Sequence, residues 1–121
     1  VLSHLIFSVP AVKGVEFGSG FDVAQMCGSQ CNDSFYYEGD TVKTRTNHNG
    51  GILGGITNGM PVVFRAAVKP TPSVAKPQQT IDISKKEDCT LSVGGRHDPC
   101  IVPRAVPVLE TVMALGLCEF L

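Results

Sequence analysis

The chain has 121 residues, which suits one domain and leaves little room for a second. With 43% hydrophobic and 17% charged residues it is too apolar to be disordered, and apolar enough that part of its surface is expected to meet a partner. Ten Lys and Arg against 11 Asp and Glu leave a net charge of −1, which excludes a broad basic field for nucleic acid or an anionic membrane, so any anion site is local. The longest apolar stretch near a terminus, Val112 to Cys118, falls far short of the roughly 18 residues a membrane span needs. Five cysteines (Cys27, Cys31, Cys89, Cys100, Cys118) are an odd number, the spacing of Cys27 and Cys31 is not that of a zinc finger, and no secretory signal precedes them, so reduced cytosolic thiols are expected. The chain opens at Val1 on an apolar segment, the expected end of a buried helix, which suggests a fragment of a longer protein.

In chain order, Val1 to Ser8 predicts one or two helical turns ended by Pro10, and Ala11 to Phe17 alternates like a half-buried strand closed by Gly18 to Gly20. Phe21 to Asn49, rich in Gly, Ser, Asn and Asp, reads as a long loop with one helical turn around Val23 to Cys27. Gly51 to Ile56, Thr57-Asn58-Gly59-Met60 and Pro61 to Lys69 predict a β-hairpin, because Asn-Gly supplies the two positive φ angles of a type I′ turn. On its second strand the pleat sets Val62, Phe64, Ala66 and Val68 against Val63, Arg65, Ala67 and Lys69. Pro70 to Pro77 is a connection, Thr80 to Ile83 and Cys89 to Val93 are short strands, and Lys85 to Asp88 is a charged turn. Asp98-Pro99 has the form of a helix cap and first residue, although Pro103 and Pro107 predict that the uninterrupted helix begins only near Pro107. From there Val108, Leu109, Val112, Met113, Leu115, Leu117 and Phe120 spread nearly round the cylinder, the pattern of a helix covered on most sides. Glu110, in this apolar run, is expected to be a structurally paired carboxylate.

Three features suit anion binding. Gly50, Gly51, Gly54 and Gly55 strip side chains from one strand, which admits a flat ligand or, equally, a closely packed backbone. Lys69-Pro70-Thr71-Pro72-Ser73 offers an ammonium, hydroxyls and free N–H groups at a strand end, although a solvated loop with one surface lysine has the same composition. Arg96-His97-Asp98 precedes the last helix, where an anion is favoured and where Asp98 also fits as a simple cap.

Three segments carry a resemblance to a known family: Asn47 to Ile56, Lys69 to Ser73, and Gly95-Arg96-His97-Asp98-Pro99-Cys100-Ile101-Val102-Pro103-Arg104-Ala105-Val106-Pro107. With Ala11 to Gly18 and Gly28-Ser29-Gln30 in the same order, the chain closely resembles the C-terminal portion of chorismate synthase over essentially all its residues. The resemblance implies an α+β fold with an antiparallel sheet packed on helices, part of a β-α-β sandwich. The strand patterns themselves predict that Ala11 to Phe17, Gly51 to Ile56 and Pro61 to Lys69 share one antiparallel sheet, covered on one face by the last helix. The resemblance also implies a cytoplasmic homotetrameric lyase of the shikimate pathway, which eliminates phosphate from 5-enolpyruvylshikimate-3-phosphate to give chorismate and needs reduced FMN.

By the same resemblance, Ala11 and Gly54 would lie against the flavin, and Lys69, Pro70, Thr71, Pro72 and Ser73 would hold its phosphate. Arg96 would meet flavin and substrate, and Asp98 would assist proton handling at flavin N5. Pro10 stands where the family often has Asn or Gln, which leaves only a backbone contact at Ala11. The family's catalytic histidines and most of its substrate arginines have no counterpart in this chain. His48 is therefore expected to be a hydrogen-bonding loop residue, and His97 to lie near the site without moving protons. These 121 residues are not expected to turn over without the missing N-terminal part. A non-catalytic phosphate-binding or assembly module with the same fold is the alternative.

Overall fold

The computed structural model describes all 121 residues, which fall into two compact units, Val1–Val68 and Lys69–Leu121. The fold is α+β, with antiparallel strand pairs and helices.

In the first unit, helix α1 (Leu2–Ser8) buries Ile6 completely and packs on strand β1 (Val12–Phe17). Between them Val9-Pro10-Ala11-Val12 makes a tight turn closed by the Val12 N–H on the Val9 carbonyl at 3.2 Å. Pro10 fixes its own φ, and Ala11 then takes the left-handed φ of 70° that a type II turn requires at its third residue. Glycine usually fills that place, and an alanine there carries about 1–2 kcal/mol of strain.

After a 3₁₀ turn (Gly20–Gln25) and the four-residue α2 (Gly28–Cys31), strands β2 (Phe35–Glu38) and β3 (Thr41–Thr44) form a hairpin inside the expected long loop. Gly39, at φ 62°, is the first residue of its two-residue turn, the position a type II′ hairpin reserves for glycine. Strands β4 (Ile52–Leu53) and β5 (Ile56–Thr57) follow, then β6 (Phe64–Val68).

The expected hairpin is corrected on two counts. Its tight turn is Gly54-Gly55, at φ 59° and 84°, which folds Leu53 onto Ile56; both glycines supply the positive φ that type I′ needs. Asn58 instead bends the chain by accepting the Met60 N–H on its own side-chain oxygen at 3.0 Å. In consequence Gly51 to Ile56 does not join the sheet of Ala11 to Phe17, and β6 pairs with β1. In that pair Phe17 opposes Phe64, ring centroids 6.1 Å apart, and a bulge at Lys13 separates Val12↔Val68 from Gly14↔Ala67. The alternation read from the sequence holds in β6, where Phe64, Ala66 and Val68 are half-buried and Arg65 and Ala67 exposed.

The second unit holds a hairpin of β7 (Gln78–Asp82) and β8 (Glu87–Leu91), and helix α3 (Val102–Cys118). The charged turn sits slightly earlier than expected. Asp82 accepts from the N–H groups of Ser84 and Lys85 and from the Ser84 hydroxyl, and Lys86 closes the turn at φ 58°. Helix α3 begins five residues before Pro107. Pro103 costs no hydrogen bond because it lies in the first turn, where N–H groups have no helical partner, and Pro107 forfeits only one. Asp98 is not its cap: that position is Ile101, which makes no side-chain capping bond.

Helix α3 is not covered on most sides. Of its residues only Gly116 is buried, while Val102, Val106, Val108, Leu115 and Leu117 are exposed, as is Phe120 just beyond its end. Glu110 likewise lies exposed and unpaired, because on this open face water solvates a carboxylate without help. No helix is long and apolar enough to cross a membrane. The buried apolar side chains are only Ile6, Val9 and Val12, a small core beside exposed residues such as Phe21, Tyr37, Ile56 and Leu115. Exposed apolar surface of this extent seeks cover. Expressed alone, the chain is therefore expected to self-associate and bind a hydrophobic dye; a dye-silent monomer at high concentration in size-exclusion chromatography would contradict this.

Candidate functional site

In the first unit, the four glycines expected to form one bare strand divide into two pairs with different roles. A Cβ on Gly50 would stand 2.4 Å from the Gly18 nitrogen, and one on Gly51 would stand 2.5 Å from the Pro61 carbonyl oxygen. These two make room for neighbouring backbone. Gly54 and Gly55 have nothing within 4 Å of an added Cβ, so their turn is open to a flat ligand.

A network of side chains holds the segment that leads to these glycines. Asn47 accepts the Gly51 N–H on Oδ1 at 2.8 Å and donates through Nδ2 to the Pro61 carbonyl at 2.9 Å. Asp33, only 6% exposed, accepts the Thr46 hydroxyl, the N–H groups of His48 and Asn49, and the Asn49 side-chain amide, all within 3.0 Å. Burial pushes the Asp33 carboxyl up, but these four donors together outweigh it and hold the pKa at about 2. His48 Nδ1 lies 2.8 Å from the Ser19 hydroxyl, in agreement with its expected hydrogen-bonding role. Sequence reasoning missed Asp33, which stands without periodicity inside a polar run. The Asp and Asn content of Cys31 to Asn49 was the available signal, because those side chains satisfy loop backbone.

In the second unit, Lys69 follows the last residue of β6, is exposed, and makes no ion pair. The next residues run through Pro70 and Pro72, and the Gln78 side chain holds the Pro72 carbonyl at 3.2 Å. Thr71 Oγ1 is buried and has no hydrogen-bond partner, alone among the buried side-chain polar atoms. A buried hydroxyl left unpaired costs about 1–3 kcal/mol, a cost that a bound polar group would offset.

Between β8 and α3 the chain has no helix or strand. His97 donates from Nε2 to the Val93 carbonyl at 3.0 Å, which occupies that nitrogen. Arg96 is exposed and makes no ion pair. The carboxylate of Asp98, two residues on, is taken by Arg104: Nη2 to Oδ1 at 3.1 Å and Nη1 to Oδ2 at 3.3 Å. No hydrogen bond joins Asp98 to Arg96, or either of them to Lys69–Ser73. Arg104 is the second functional candidate that sequence reasoning passed over, although it stands in the quoted motif at a spacing a side chain can bridge.

One protein family, described as chorismate synthase, matches residues 1–121. The chorismate synthase of Archaeoglobus fulgidus is 52% identical over 118 residues, covering 98% of this chain and 33% of that protein. That of Thermococcus kodakarensis is 51% identical over 120 residues, covering 99% and 34%. That of Methanococcus aeolicus is 51% identical over 121 residues, covering 99% and 32%. A crystal structure of chorismate synthase is similar at a TM-score of 0.56 and 44% identity, over 60% of this chain and 22% of that one. The chain thus spans about a third of the length of the curated relatives it matches.

Proposed function

The chain belongs to the chorismate synthase family, and on that premise we propose that it is the C-terminal, FMN-binding portion of an enzyme that eliminates phosphate from 5-enolpyruvylshikimate-3-phosphate to give chorismate. The observation that carries the flavin part of this reading is the buried, unpartnered Thr71 hydroxyl in the Lys69–Ser73 segment. A phosphate oxygen satisfies a lone buried O–H, and the neighbouring ammonium of Lys69 supplies the charge that a phosphate dianion requires. The residues present therefore fit FMN. Lys69, Thr71 and Ser73 would hold its phosphate, with Pro70 and Pro72 stiffening the segment.

When bound and reduced, the flavin lends electron density for the departure of phosphate with no net oxidation. Arg96, whose guanidinium has no carboxylate partner, is free to neutralise anionic substrate. Asp98 supplies two carboxylate oxygens as the chain's proton-handling group. The complete enzyme is a cytoplasmic homotetramer that joins this portion to the remaining two thirds of the chain; the five unbridged thiols and the exposed apolar face of α3 support that setting.

FMN titration of the complete enzyme tests the phosphate site. Charge-assisted contacts contribute about 1.5–3 kcal/mol each, so Lys69→Ala is expected to weaken FMN by roughly 10- to 100-fold. Thr71→Val, which removes one neutral donor and keeps the shape, is expected to weaken it by only about 2- to 10-fold. Unchanged flavin affinity in both variants would mean that the phosphate lies elsewhere.

A further inference from the structure

We propose that Arg104 is a positioning residue for the Asp98 carboxylate. The inference rests on the reading of Asp98 as the catalytic carboxylate. Asp98 lies on a stretch without helix or strand, so its own backbone leaves the side chain free to turn. Arg104 removes that freedom, because a planar guanidinium that donates to both carboxylate oxygens, at 3.1 and 3.3 Å, fixes their plane as well as their position. The fork is itself anchored. Arg104 is the third residue of α3, and its N–H donates to the Ile101 carbonyl at 3.0 Å.

Stability gives a poor account of this pair. The Arg104 and Asp98 side chains are 76% and 47% exposed, and exposed ion pairs contribute little. A cation in the first turn of a helix also opposes the macrodipole, and α3 has no acidic residue in that turn to offset it. The placement makes sense for the carboxylate that Arg104 grips. It also divides labour between two arginines: Arg104 orients Asp98, and Arg96 keeps its guanidinium for an anionic ligand.

The test is a mutant cycle in the complete enzyme, read as single-turnover chorismate formation with pre-reduced FMN. Arg104→Gln is expected to slow that step by about 10-fold, since a misplaced reacting group commonly costs one to two orders of magnitude, with FMN and substrate affinities within about 2-fold. Arg104→Lys, which keeps the charge and loses the fork, falls between wild type and Arg104→Gln, and it carries the test if the Gln variant does not fold. In an Asp98→Asn background, Arg104→Gln is expected to add no further loss. An equal loss in both backgrounds, or none in either, would overturn the positioning role. Should Asp98→Asn alone match wild type, the catalytic reading of Asp98 is what has failed, and Arg104 has nothing to position.

Discussion

Asp98→Asn is expected to lower the single-turnover rate of the complete enzyme by about 10²-fold or more, the usual scale for losing acid–base assistance. FMN and substrate are expected still to bind. The substitution keeps the size and one acceptor oxygen of the side chain and removes the charge that takes a proton. Its effect on stability should stay within about 1 kcal/mol, for a reason that differs from the sequence expectation. Asn would replace Asp well as a helix cap, but Asp98 caps nothing: α3 starts at Val102 behind Ile101, and what the substitution loses is an exposed ion pair with Arg104. A flavin reduced beforehand separates the elimination from the supply of electrons. An Asp98→Asn enzyme that matches wild type would leave the chain without a proton-handling group and favour a purely binding role for this portion.

The parts of the fold that were legible are those written in local patterns. The alternation of Val62 to Lys69 appears in β6 as half-buried and exposed residues in turn, and Pro10 after an apolar run marks the end of α1. What was not legible depended on competition between similar signals. Asn58-Gly59 and Gly54-Gly55 both suit a tight turn, and the sequence does not say that two glycines outcompete Asn-Gly here; the Asn58 side chain satisfies Met60 and spends its turn-forming capacity locally. Gly39-Asp40 lay in a stretch of mixed polarity, where only one glycine in a two-residue turn betrays the β2–β3 hairpin. The apolar residues of α3 circle the cylinder and so predict cover, but a sequence pattern states the demand for cover without stating what provides it. For the site, Lys69–Ser73 and Arg96–Asp98 were visible as segments. The unpaired Thr71 hydroxyl and the Asp98–Arg104 fork are facts of geometry that no spacing contains.

Asp33 combines burial, charge and four donors, and its removal is expected to cost more than that of any other single polar side chain here. In Asp33→Ala the hydroxyl of Thr46, the N–H groups of His48 and Asn49 and the Asn49 amide all lose their acceptor, for an expected loss of about 2–4 kcal/mol. Asp33→Asn should be nearly as damaging, because its amide nitrogen sets a donor against one pair of those donors. The pH dependence has a definite sign. The folded pKa of about 2 lies below the ordinary 3.8, so the ionised carboxylate stabilises the fold above about pH 4, and that contribution disappears as pH falls toward 2. The difference is worth on the order of 2 kcal/mol. Denaturation of the complete enzyme at about pH 6 and about pH 3, with amide exchange at His48 and Asn49, should show the wild type losing about half of this increment on acidification, because pH 3 still lies above the folded pKa, and Asp33→Asn lacking it at both values. Because Asn47 and Asp33 together hold the run into Gly50 and Gly51, the same substitution should loosen the Gly54-Gly55 turn. Protection lost at His48 and Asn49 with flavin affinity unchanged would separate that network from the ligand site.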